Sequence, residues 1–159
     1  MRTARMLLVP LFSLASCGWI VGELAEQKAR QDALDDVRYD DLDKLWAEAV
    51  DLWDEYDCAL PKTPKADETF DCPDERRWLR VKEASGGTYR VELEHETTEI
   101  ETNDKGEQTE KKVRSRDWDL EFKLLERVQP EKARSIDDAA EAKGDKAKDA
   151  AKDLLDAFE

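Results

Sequence analysis

Apolar positions recur at three- and four-residue steps from Asp41 to Tyr56 (DLDKLWAEAVDLWDEY), where Leu42, Leu45, Trp46, Ala49, Val50, Trp53 and Tyr56 form one stripe. That period predicts an amphipathic helix with a single buried face. Asp40 is placed to cap its first turn, and Asp41 and Asp43 sit where the helix dipole favours negative charge. The pattern then changes. Cys58 to Cys72 (CALPKTPKADETFDC) reads as an irregular loop, since Pro61 and Pro64 cannot continue a helix. Arg77 to Ala84 (RWLRVKEA) is a strand candidate and Ser85-Gly86-Gly87 a turn. Tyr89 to Thr97 alternates, with Tyr89, Val91, Leu93 and His95 on one face and Arg90, Glu92, Glu94 and Glu96 on the other. Such alternation marks a half-buried strand. Asn103-Asp104-Lys105-Gly106 marks the tip of a second hairpin. The return strand is expected within Val113 to Leu124, with Trp118, Leu120, Phe122 and Leu124 facing one way.

Pro130 suits the first turn of a helix. Glu131 to Ala142 and Lys146 to Glu159 read as two Ala-rich charged helices separated at Gly144. Glu23 to Val37 carries only Leu24, Leu34 and Val37 as sizeable apolar residues, which suggests a solvated tether or a loosely docked helix. The order of elements predicts an α+β fold. One amphipathic helix packs on a three-stranded antiparallel meander over residues 39–129, and a charged helical C-terminal segment follows over 130–159.

The N-terminal pattern is of another kind. Arg2 and Arg5 precede a ten-residue apolar run, Met6 to Ala15. It is too short to span a bilayer, which takes about 20 residues, and with its basic start it reads as a secretory signal. Its end, Leu14-Ala15-Ser16-Cys17, resembles the lipobox of bacterial lipoproteins. The resemblance implies that residues 1–16 are a signal peptide cut before Cys17. It implies as well that the Cys17 sulfur carries a diacylglyceryl group and the new amino group an acyl chain. Residues 17–38 would then form the lipidated N-terminus and its tether. One acyl chain holds a protein at a membrane only marginally, whereas two or more hold it stably. Gly18, rather than Asp, after the cysteine implies passage to the outer membrane, with the domain facing the periplasm. Trp19-Ile20-Val21 would lie at the membrane interface, where an indole is favoured. The element order is similar to that of small helix-on-sheet domains in several outer-membrane lipoproteins, without a shared motif.

Charge narrows the partners. The 159 residues include 26 basic and 40 acidic side chains, a net charge of −14, and loss of Arg2 and Arg5 with the leader carries this to −16. A chain so acidic repels phosphate backbones, so no nucleic-acid partner is expected. With Cys17 acylated, Cys58 and Cys72 remain as the two thiols in an oxidising compartment and are expected to form a disulfide. His95 is the lone histidine, read as a core or edge residue, and HExxH needs two. Cys58 and Cys72 form no CxxC pair, which excludes a zinc ribbon. In the loop Glu101 to Lys112, Lys105 and Lys112 occupy places where a calcium loop needs oxygen ligands. No catalytic residue, cofactor or metal site is therefore expected. The function these features predict is that of a membrane-anchored envelope lipoprotein, a non-enzymatic accessory or adaptor subunit. Its partners would be membrane lipid, through acylated Cys17, and another envelope protein. The alternative is a ligand-binding lipoprotein with an aromatic cleft between helix and sheet, lined by Trp46, Trp53, Trp78, Trp118 and Phe122.

Overall fold

The computed structural model describes residues 15–102 and 105–157, with side chains from Trp19 onward. In chain order the elements are α1 (Ala15–Asp35), α2 (Leu42–Asp54), β1 (Thr69–Cys72), β2 (Arg77–Ala84), β3 (Thr88–Thr102), β4 (Gln108–Arg116), α3 (Trp118–Val128) and α4 (Pro130–Asp156). The chain divides into two compact units. One is Gln31–Ile136; the other combines the chain up to Arg30 with Asp137 onward.

The Gln31–Ile136 unit is α+β, with a four-stranded antiparallel sheet in the order β1-β2-β3-β4. Helix α2 starts where the period begins, but its N-cap is Asp41, not Asp40: the Asp41 carboxylate accepts the Lys44 backbone N–H at 3.0 Å. Its buried face is Leu45, Trp46, Ala49, Leu52 and Trp53. Opposite stand Leu79 and Val81 of β2 and Val91 and Leu93 of β3, all buried. Gly86 and Gly87, in the β2–β3 turn, have φ of 78° and 73°, backbone that glycine adopts without strain.

Three expectations are corrected here. The sheet has four strands, because β1 forms inside the segment expected to be loop. Phe70 and Cys72 of β1 turn inward, and Phe70 meets Trp46 edge to face with ring centroids 5.3 Å apart. Two inward residues are too few to show a period. Second, the return strand is β4, Gln108–Arg116, and the Trp118–Leu124 stretch is the start of helix α3. The Asp117 carboxylate accepts the Leu120 N–H at 3.1 Å and nucleates the turn. The residues α3 buries are Leu120, Glu121, Leu124, Leu125 and Val128, a helical period that an alternating reading stopped at Leu124 cannot display. The core therefore has two helices against the sheet, not one. Third, α4 is a single 27-residue helix that runs through Gly144.

The reason lies in the other unit. A Cβ built on Gly144 would stand 3.0 Å from the Gly22 carbonyl oxygen and 3.1 Å from the Glu26 Cβ. Glycine is there for close approach of α1 and α4, which offsets its helix penalty of about 1 kcal/mol. Arg30 closes the same pair of helices, reaching Glu26 at 3.1 Å and also Asp137. Ala140 is buried beside them.

Candidate functional site

The sheet has two unlike faces. Odd positions of β2 and β3 point into the core. The even ones point outward, and the register sets Thr69 of β1 opposite Arg80, Arg80 opposite Glu92, Trp78 opposite Glu94, and Glu96 opposite Arg114 of β4. The result is an outward face of interleaved charges around one indole. The Arg114 guanidinium lies over the Trp78 ring, 3.7 Å from its centroid, an arrangement that stacks cation on π-face. Lys82 takes the Glu92 carboxylate at 2.6 Å, and Arg76 and Lys112 share Glu96 at 2.8 and 3.1 Å. The hydrogen bond from Lys112, aided by Arg76, holds the Glu96 carboxyl below its ordinary range. Between these pairs the surface dips into a concavity of about 190 Å³ around Trp78, rimmed by Thr69, Arg80, Glu92, Glu94 and Arg114.

A second polar cluster is buried and already saturated. Where β4 ends, the free edge of β3 is closed by other groups. Leu93 donates its N–H to Glu121 Oε1 at 2.9 Å and accepts the Asp117 N–H at 2.7 Å, while Tyr39 and Tyr89 exchange backbone hydrogen bonds at 2.9 and 2.8 Å. Arg116 grips Glu121 with two further hydrogen bonds, 2.7 and 2.6 Å, and also reaches Asp35. Burial pushes the Glu121 carboxyl up, opposed by the Arg116 hydrogen bond. Burial likewise pushes the Tyr39 phenol up, helped by the Glu121 charge. The adjoining void, about 10 Å³, holds at most one water and no substrate. Glu121 thus serves as a backbone cap for the sheet edge.

His95 has no catalytic partner set. Its Nδ1 is 3.5 Å from Asp117 Oδ2, which Arg77 already occupies, and has no hydrogen bond. Ser115, paired across the strands with His95, has its hydroxyl on Thr97 Oγ1 at 3.1 Å instead. The Ser115 hydroxyl is thus not hydrogen-bonded to the imidazole, the contact by which a histidine activates a nucleophile.

The residues of the expected aromatic cleft are not brought together. Trp46 and Trp53 are core residues, 1% and 0% exposed, and Trp118 and Phe122 pack partly buried at the core margin. Trp78 lies on the opposite side of the sheet, with Arg80 and Arg114 beside it. Trp78 and Arg80, two apart in a strand, were assignable to one face; Arg114 required the register. Cys58 and Cys72 stand at disulfide distance, with Cα atoms 5.5 Å apart, inside the span such a bond allows. Leu14 lies outside the described residues, as do the side chain of Cys17 and the hairpin tip Asn103-Asp104. Among the described residues no group of three or more His, Cys, Asp or Glu could hold a metal ion, and no helix is long and apolar enough to cross a membrane. No protein-family model, curated protein or solved structure matches the chain.

Proposed function

We propose that this chain is a lipid-anchored protein of the bacterial envelope, held through acylated Cys17 with its domain toward the periplasm, and that it works as a non-enzymatic adaptor. The observation that carries the anchor is where the exposed apolar residues fall. Of the six large hydrophobic side chains exposed among the described residues, Trp19, Ile20, Val21 and Leu24 follow Cys17 within seven positions. Trp19 is 59% and Leu24 60% exposed. In water that cluster is a liability; at a bilayer interface it adds apolar burial to the acyl chains and places an indole among the headgroups. Ile20 and Leu24, four apart in α1, share one side of the helix. The adaptor reading is supported by the sheet's charged outward face and by titratable groups that are spent on structure. The passage to the outer membrane rests on Gly18.

Mass spectrometry of protein extracted from envelopes is the test. The expected product begins at Cys17 and carries the added mass of three acyl chains. Cys17→Ser is expected to keep the leader and lose the acyl mass. A Cys17→Ser protein still processed and membrane-bound would refute the reading.

A further inference from the structure

The geometry points to the concavity at Trp78 as the seat of a carboxylate side chain from a partner protein, clasped between Arg80 and Arg114. This deepens the adaptor reading and rests on it. The first reason is an imbalance of partners. In a chain with 40 acidic and 26 basic residues, carboxylates are in excess. Arg76, Arg77, Arg90, Arg116 and Arg127 each hold one. Arg80 and Arg114 hold none among the described residues, nor do Arg38, which bonds backbone carbonyls, and Arg134, but Arg80 and Arg114 stand on one rim, beside Glu92 and Glu94. Glu92 is neutralised by Lys82, so Arg80 and Arg114 against Glu94 leave the rim net positive in a molecule that is strongly negative.

The two guanidinium groups differ in their settings. Arg80 Nε is buried with no hydrogen-bond partner, as are Arg77 Nε and Arg90 Nε, so a carboxylate would meet the Arg80 guanidinium through its other nitrogens. The Arg114 guanidinium carbon lies 3.7 Å from the centroid of the Trp78 indole, and the exposed side chain can offer its N–H groups in the bidentate geometry that suits carboxylate oxygens. Size chooses the occupant. About 190 Å³ is below the roughly 300–1,000 Å³ of small-molecule sites, yet adequate for one anchoring side chain. Half-buried Trp78 beside Arg80 and the exposed Arg114 is a pairing of the residue types enriched at protein–protein hot spots.

The test uses the full lipidated chain in phosphatidylcholine nanodiscs, followed through the Trp78 indole N–H resonance. The probes are a blocked Gly-Gly-Glu-Gly-Gly peptide, its Gln counterpart, inorganic phosphate and phosphatidylglycerol vesicles. The Glu peptide is expected to shift the resonance at millimolar concentration and the Gln peptide to bind about tenfold more weakly, as loss of a charge-assisted contact implies. The double variant Arg80→Gln/Arg114→Gln is expected to lose about tenfold with its spectrum otherwise kept, while Arg134→Gln changes nothing. No shift, equal binding of the Gln peptide, or equal shifts from phosphate or the vesicles would overturn the assignment. A photo-crosslinker at Thr69 in intact cells, with Glu141 as the comparison, separates the two levels. Capture at Thr69 that the double variant abolishes is expected. Capture at Glu141 alone overturns the docking site and leaves the adaptor standing, and capture at neither position counts against both.

Discussion

Trp46 and Trp53 lie on one face of α2 and are buried alike, 1% and 0% exposed, but their indole N–H groups are not equivalent. Trp46 donates its Nε1–H to the Pro61 carbonyl at 2.7 Å, whereas Trp53 Nε1 is buried with no partner. Replacing each by Phe separates packing from hydrogen bonding. Either change leaves a residual void of about 40 Å³, which at about 24 cal/mol per Å³ costs roughly 1 kcal/mol. Trp46→Phe loses a hydrogen bond as well, worth about 1 kcal/mol, and strands the Pro61 oxygen. Trp53→Phe instead removes an unsatisfied buried donor, which recovers about 1 kcal/mol, the low end of the range for such a group, and cancels the void. Two substitutions of the same kind should therefore differ by about 2 kcal/mol, with Trp46→Phe the weaker protein. In urea unfolding, with a slope of about 2 kcal/mol/M, that is a midpoint gap of about 1 M at unchanged slope. Equal midpoints, or Trp53→Phe as the less stable variant, would refute the hydrogen-bond reasoning. Trp→Ala at either position should cost about 3–5 kcal/mol, enough to unfold a marginal domain.

Cys58 and Cys72, 14 residues apart in sequence, should resist alkylation in denatured, unreduced protein. Reduction should cost about 3 kcal/mol in the chain-entropy model; two freely labelled cysteines would end this expectation. Burial raises the Glu121 carboxyl above its ordinary value, so the native state holds the extra proton in the window between the two. The stability of the wild type relative to Glu121→Gln should then fall as pH rises through that window. Urea midpoints of both proteins from about pH 4 to about pH 7 check it, and a flat or rising difference contradicts it. Gly144→Leu is expected to part α1 from α4, because any Cβ there already meets the Gly22 carbonyl oxygen at 3.0 Å. Limited proteolysis should then cut α1 faster, and an unchanged cleavage rate would show that the contact is dispensable.

The sequence by itself determined helix α2, where five buried residues repeat often enough to display a period, and placed β2 and the alternation of apolar and charged residues that opens β3. The α+β class follows from these, and Trp46 and Trp53 were assignable to one buried face. Tertiary structure alone decided the rest. Strand β1 exists because Phe70 finds Trp46, a contact across 24 positions of chain that four residues cannot announce. Trp118 to Leu124 fits an alternating period as well as a helical one. Asp117, which caps α3 and closes the edge of β3 at Leu93, settles it as helix. Gly144 reads locally as a break and is in fact a point of contact, since what a missing side chain admits is known only when the neighbouring helix is in place. The outward site is the same case. Trp78 and Arg80 share a face by strand period, but Arg114 comes from a strand two places away, and only hydrogen-bond register sets its guanidinium on that indole.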